Sequence, residues 1–206
     1  GPTWSDPTNG TATIDSALNS VFVTNDTVYA VGENGIILIL RKNNATPTVC
    51  KLDSGASLYS IWVTLGHAYL AGSGGLYHAD PDKLCSSSIS PLAGTSTLSC
   101  HDIWGNGTSA FAACDTSIMK TTDAINWNLD SPSGKPLGQG AWTIIADSNL
   151  NKAVGGASYG AVFVNHDTRM STWVSTTAGA INAATLWDGW IDTNKKVYLA
   201  GSRGTI

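Results

Sequence analysis

A pattern that returns about every forty residues constrains this chain more than any other feature of it. Val28-Tyr-Ala-Val-Gly-Glu-Asn-Gly35 has relatives at Tyr69-Leu-Ala-Gly-Ser-Gly-Gly75, Phe111-Ala-Ala-Cys-Asp-Thr-Ser117, Lys152-Ala-Val-Gly155 followed by Gly160, and Tyr198-Leu-Ala-Gly-Ser-Arg-Gly204. The first glycine position is held by Gly32, Gly72, Cys114, Gly155 and Gly201, so the steps are 40, 42, 41 and 46 residues. A second mark keeps pace: Phe22, Trp62, Trp104 and Ile145 each stand ten residues before that position, and Trp190 stands eleven before it. Two marks in register identify a repeat protein.

Between the marks lie Asn25-Asp26, Leu65-Gly66, Gly105-Asn-Gly107, Asp147-Ser-Asn149 and Asp192-Thr-Asn194. Such residues supply the positive φ angles and Asx-turns of tight hairpins, so each unit opens with a hairpin. In the first unit Val21-Phe-Val23, Val28 to Val31, Ile36 to Leu40 and Thr48 to Leu52 read as four short strands, and the second repeats them down to Lys83-Leu-Cys85. Apolar recurrence at helical spacing is not sustained anywhere. Four short strands in each unit of this length make an all-β fold, a β-propeller of four-stranded antiparallel blades.

The units fall at about 14–54, 55–95, 96–138, 139–178 and 179–206. The fifth lacks its fourth strand, while Thr3-Trp-Ser5 at the start resembles the unit ends Ile125-Asn-Trp127 and Ser171-Thr-Trp173. The expectation is one five-bladed domain over residues 1–206, its last blade closed by a strand within residues 3–13. Closure would hide the edges of the first and last blades from other chains.

Only 13% of the 206 residues are charged, and the formal charge is −4. With no Lys/Arg cluster, nucleic acid and anionic membrane are not expected partners, and no apolar run is long enough to span a bilayer. The low charge and the Ser, Thr, Gly and Asn content suit an extracellular or cell-surface protein. Gly1-Pro2 reads as a tag-cleavage scar, with any export signal expected upstream.

Units of the form Leu-x-x-Val-Trp, a turn, Val-Tyr-Ala-Val-Gly-x-x-Gly, then Ser/Thr-x-Asp and Trp resemble the bacterial-neuraminidase-repeat or Asp-box β-propellers, over essentially the whole chain. Thr121-x-Asp123 and Asn165-x-Asp167 are the nearest boxes, and the resemblance implies that they brace turns away from any active site. That repeat serves enzymes, lectin-like binders and assembly factors alike, so it speaks to fold rather than activity.

A sialidase-like site needs three convergent arginines, but Arg41, Arg169 and Arg203 occupy unrelated positions in their units, and Glu33 is the only glutamate. No catalytic residues are assigned, and a glycan-cleaving enzyme ranks last among the readings. His67, His78, His101 and His166 share no ligand spacing, so no metal site is expected, and no helix follows a glycine-rich turn to hold a cofactor.

Binding is the reading that remains. Trp62, Trp104 and Trp190 fall where bulk fills the wedge between blades, whereas Trp142 and Trp187 break the register and suit exposed stacking platforms. Turns after the repeated glycine should gather on one face, as recognition loops over a constant scaffold do. The expected ligand-binding residues are therefore Glu33, Asn34, Asp115, Trp142, Tyr159, Trp187 and Arg203, and the expected partner is a glycan or an extracellular protein. A structural domain of a larger surface protein or fibre is the alternative.

Cys100 and Cys114 sum to twice 107, the centre of their hairpin, which sets them opposite each other on antiparallel strands and predicts a disulfide. Cys50 and Cys85 would be left on outer strands that splay apart, an unfavourable pair unless the Asp80-Pro-Asp82 turn carries Cys85 inward. Asn9, Asn25, Asn44 and Asn106 begin glycosylation sequons, three of them in turns on one propeller face, which is expected to carry glycan in a eukaryotic source and to leave the opposite face for binding.

Overall fold

The structure is a computed structural model that describes residues 14–24, 26–44, 46–86, 88–130, 140–147, 152–166, 173–177 and 184–204. The expected N-terminal closing strand, Asn9, Asn25, Asp167 and Arg169 lie outside the described residues.

Each unit becomes an antiparallel sheet in chain order. The first is β1 (Leu18–Val23), β2 (Thr27–Gly32), β3 (Ile36–Arg41) and β4 (Thr48–Lys51). The second has β5 (Leu58–Thr64), β6 (His67–Gly72) and β7 (Gly75–Ala79). The third has β8 (Cys100–Asn106), β9 (Ser109–Cys114), β10 (Ile118–Thr121) and β11 (Asn128–Leu129), and the fourth has β12 (Ala141–Ala146), β13 (Ala153–Ala157), β14 (Ala161–Asn165) and β15 (Trp173–Thr177). The fifth has β16 (Leu186–Ile191) and β17 (Val197–Gly201). Among the described residues the only helical turns are of the 3-10 kind, at Glu33–Gly35, Pro81–Lys83, Ser158–Gly160 and Ser202–Gly204.

The fourth strand expected at Lys83 to Cys85 does not form. Pro81 opens a 3-10 turn whose Asp82 N–H is taken by the Asp80 carboxylate, and the chain curls instead of extending. That curl brings Cys85 to β4, and the pair judged unfavourable is a disulfide, Cys50–Cys85, with Cα atoms 5.5 Å apart across the first and second units. Cys100 and Cys114 are bonded as expected, with Cα atoms 3.9 Å apart inside the third unit.

Neighbouring sheets pack face to face through one repeated junction. The inner strand of each unit lies on the first two strands of the unit before it: β5 on β1 and β2, β8 on β5 and β6, β12 on β8 and β9, and β16 on β12 and β13. Apolar side chains fill the wedges, Val31 and Ile37 against Leu70, Trp62 and Tyr69 against Ile103, Phe111 against Ile144, and Val154 against Leu186. Gly105 fits here because a β-carbon on it would lie 2.2 Å from the Trp62 ring. Trp62 is 3% exposed, as a wedge-filling role requires, and Trp104 is half-buried. Trp190 departs from that role at 64% exposure, because among the described residues no further sheet covers the fifth.

Candidate functional site

Every inner strand carries the same irregularity at its start. Pairing with the second strand shifts between Leu18 and Ser20, Leu58 and Ser60, Cys100 and Asp102, Ala141 and Thr143, and Leu186 and Asp188. One extra residue sits in each gap: Asn19, Tyr59, His101, Trp142 and Trp187. A β-bulge re-aims the side chain of its extra residue, and five bulges at one level make a row of re-aimed side chains.

Four of the five are aromatic, and they touch in series. Tyr59 and His101 have ring centroids 5.5 Å apart, His101 and Trp142 3.9 Å, and Trp142 and Trp187 5.0 Å, the last pair edge to face. Inner members of the row stack on one another, and Trp187 at its end is 52% exposed. Turns after the second strands hold the row in place. His101 Nε2 lies 2.6 Å from Asp115 Oδ1, and Trp142 Nε1 donates to Ser158 Oγ at 2.8 Å. The Ser158–Gly160 turn packs on β16, the strand of Trp187, just as Glu33–Gly35 packs on β5.

Within these turns Asn34, Tyr159 and Arg203 occupy one repeat position, with φ angles of 55°, 58° and 62°. Asparagine accepts that left-handed backbone readily, whereas a tyrosine or arginine does so at a cost of about 1–2 kcal/mol. Tyr159 is nonetheless 63% exposed, so burial does not compensate.

Asp115, Trp142 and Trp187 are thus brought into one row and Tyr159 into the turn against it. Glu33, Asn34 and Arg203 occupy the same turn in the first and last units. Sequence reading missed Tyr59 and His101, whose signal was their place three residues before Trp62 and Trp104, the place that Trp142 and Trp187 hold before Ile145 and Trp190.

Beneath the row, the next residues on the inner strands clamp three units together. The Asp102 carboxylate accepts from Ser60 Oγ at 3.0 Å, Ile103 N at 2.8 Å, Thr143 Oγ1 at 2.9 Å and Ile144 N at 3.0 Å. Enclosure raises its pKa above the ordinary carboxylate value, against the pull of the four donors.

Two other arrangements escaped the sequence reading. His67 and His78, eleven residues apart, meet across β6 and β7 with Nδ1 and Nε2 2.9 Å apart, although their spacing showed no pattern. Burial, and then the neighbouring His67, lower the pKa of His78. At the other end of the inner strands a cavity of about 660 Å³ is lined by Trp104, Asn106, Asp147, Trp190, Asp192 and Lys195. Asp123 braces the turn after β10, accepting from the Ile125 and Asn126 N–H groups at 2.9 and 2.8 Å. Those donors, with the Asn126 side chain, hold its carboxyl well below the usual range.

No family matches the chain, and no curated protein matches it in sequence. Solved structures do match in shape. YCF48 from Cyanidioschyzon merolae superposes with a TM-score of 0.65 at 13% identity, over 93% of this chain and 68% of its own. The fold is of the β-propeller type. A second propeller, the WD40 domain of Doa1, gives a TM-score of 0.68 at 8% identity, over 91% of this chain and 62% of its own. The extracellular domain of BT4673 from B. thetaiotaomicron gives 0.68 at 11% identity, over 96% of this chain and 27% of its own. The propeller described here therefore spans between about a quarter and two thirds of the proteins it resembles.

Proposed function

We propose that this propeller is a non-enzymatic recognition module of a secreted or surface protein, and that it takes a glycan on the face built by the inner-strand bulges. The aromatic row from Tyr59 to Trp187 carries the proposal. A sugar ring presents an apolar face to an indole and hydroxyls to its surroundings, and Trp187, flanked by the Tyr159 turn, offers the indole. Within the wider fold class the repeat is of the Asp-box kind, consistent with the bracing by Asp123. Two disulfides suit an oxidising, extracellular setting.

A protein partner is the second reading. A YCF48 structure at 17% identity is bound to D1 peptide, so a fold of this shape can seat a polypeptide.

A glycan array probed with the purified domain is the test. Reproducible binding that disappears in Trp187→Ala and in Tyr159→Ala, with the fold intact, supports the glycan reading. Silence on the array removes it and turns attention to polypeptide ligands or a purely structural role, and turnover of an arrayed glycan would replace it with catalysis.

A further inference from the structure

Histidine spacing along the sequence offers no metal motif, yet strand register in the second unit builds a histidine pair. Tyr69 lies opposite His78 across β6 and β7, and opposite Trp62 across β5 and β6. Residues two apart on a strand share a face, so His67 joins that row one step along, within diagonal reach of His78. The outcome is the 2.9 Å approach of His67 Nδ1 to His78 Nε2, with ring centroids 5.1 Å apart.

The pair is held from beneath. Both rings stack on Tyr69, with centroid distances of 4.7 Å for His78 and 6.2 Å for His67. Tyr69 is itself fixed: it is buried, lies against Trp62 and edge-on to Trp127, and its hydroxyl donates to the Ala124 carbonyl of the third unit. The two histidines above it are only half-buried, so solvent reaches them.

Facing imidazole nitrogens hold one proton between them, and the lone pair of one is directed at the other ring. A metal ion can take that proton's place. With metal–nitrogen bonds of about 2.0–2.1 Å, nitrogens 2.9 Å apart subtend about 90° at the ion. That is the cis angle of a tetragonal site, whereas a tetrahedral ion would need the nitrogens further apart. Each ring has only to tilt about its Cβ–Cγ bond, a broad torsion, for its lone pair to meet the ion. The displaced proton passes to the far nitrogen of its own ring, and both imidazoles stay neutral, the form in which histidine ligates.

From this geometry we infer that His67 and His78 form a binding site for a divalent transition-metal ion of tetragonal preference, Cu²⁺ before Ni²⁺. Among the described residues no Cys, Asp or Glu completes a set of three with them, so water fills the remaining positions. The affinity order of first-row ions at nitrogen ligands favours Cu²⁺ over both Ni²⁺ and Zn²⁺. His67 pairs with Thr64 at the end of β5 remote from its bulge, so the site stands or falls separately from the glycan reading.

Calorimetric titration of the intact chain with Cu²⁺, Ni²⁺ and Zn²⁺ at neutral pH tests this. The parent should take up Cu²⁺ more tightly than the other two, and the electron paramagnetic resonance spectrum of the copper complex should show two coordinated nitrogens. His67→Gln and His78→Gln should each weaken Cu²⁺ binding by at least about a hundredfold, the upper end of what losing an outer partner alone costs. His101→Gln and His166→Gln should bind as the parent does, since His101 is engaged by Asp115 and His166 lies exposed in the fourth unit. Circular dichroism accompanies each variant; should one of the pair variants misfold, the other variant and the spectrum of the parent complex still decide. A parent that takes up no copper, a spectrum without two nitrogen ligands, Zn²⁺ held more tightly than Cu²⁺, or a folded pair variant that binds as the parent does would overturn the inference.

Discussion

Single side chains in this propeller answer two different demands. Tyr159 sits in a left-handed turn that glycine would occupy without penalty, and it is exposed there. Tyr159→Gly is therefore expected to leave stability unchanged or raise it by up to about 1 kcal/mol, while weakening ligand binding. Thermal melts and a binding isotherm on the same preparation check both halves, and a clear loss of stability would show that the tyrosine is there for packing. Asp102 answers the opposite demand. Asp102→Ala strands two hydroxyls and two N–H groups that share its carboxylate, and should cost about 2–4 kcal/mol, measured by denaturant unfolding.

His78 gives a pH signature. Its folded pKa is depressed, so the unfolded chain takes up the proton first as pH falls below about 6.5. Its contribution to stability is complete above that value and is lost as pH drops through the folded pKa. Between pH 7 and pH 5 the melting temperature of the parent should fall more than that of His78→Gln, which cannot charge; equal falls would assign the pH dependence elsewhere.

At the scale of strands, much was legible beforehand, and the exceptions have physical causes. The hairpins appear where Leu65-Gly66 and Gly107 supply positive φ angles. Cys100 faces Cys114 for a reason the hairpin alone does not supply: the pairs from Asp102–Ala113 to Asn106–Ser109 would set Cys100 opposite Asp115, and the bulge at His101 shifts the register by one residue. The bulge was invisible for an instructive reason. It inserts one residue at the same point of every unit, so it leaves the repeat spacing unchanged, and only Trp142 and Trp187 hinted at it by falling out of alternation. The His67–His78 contact depends on the register between β6 and β7, which no motif in the sequence announces. Lys83 to Cys85 failed as a strand because Pro81 and Asp80 favour a turn locally, and local turn chemistry prevailed over repeat analogy.

The Cys100–Cys114 bond lies directly beneath the bulge residue His101 and its partner Asp115. Removing it with paired Cys→Ala changes should cost at most about 3 kcal/mol, the chain-entropy value for so short a loop. It should also loosen the His101–Asp115 contact, so ligand affinity is expected to fall along with the melting temperature. An unchanged affinity would mean that the strand pairing alone holds the row.

For the molecule as a whole, the apolar junctions between units matter more than the surface charge. Trp62 and Tyr69 against Ile103 and Phe111 against Ile144 bury no ion pair, so the cohesion of the units should persist in high salt and weaken on cooling, the reverse of a fold held by salt bridges. Denaturant unfolding at two temperatures and two salt concentrations separates these cases.

The Cys50–Cys85 bond has a mechanical consequence. It bridges two units rather than bracing one, and it closes off a stretch of chain whose ends are 35 residues apart in sequence. At about 3.4 Å per extended residue, the bond withholds roughly 120 Å of contour length from a pulling force. The first two units should therefore resist being drawn apart until the sulfurs are reduced, while the later units peel away one by one. Under a pulling force, redox state would then set how far the chain can stretch.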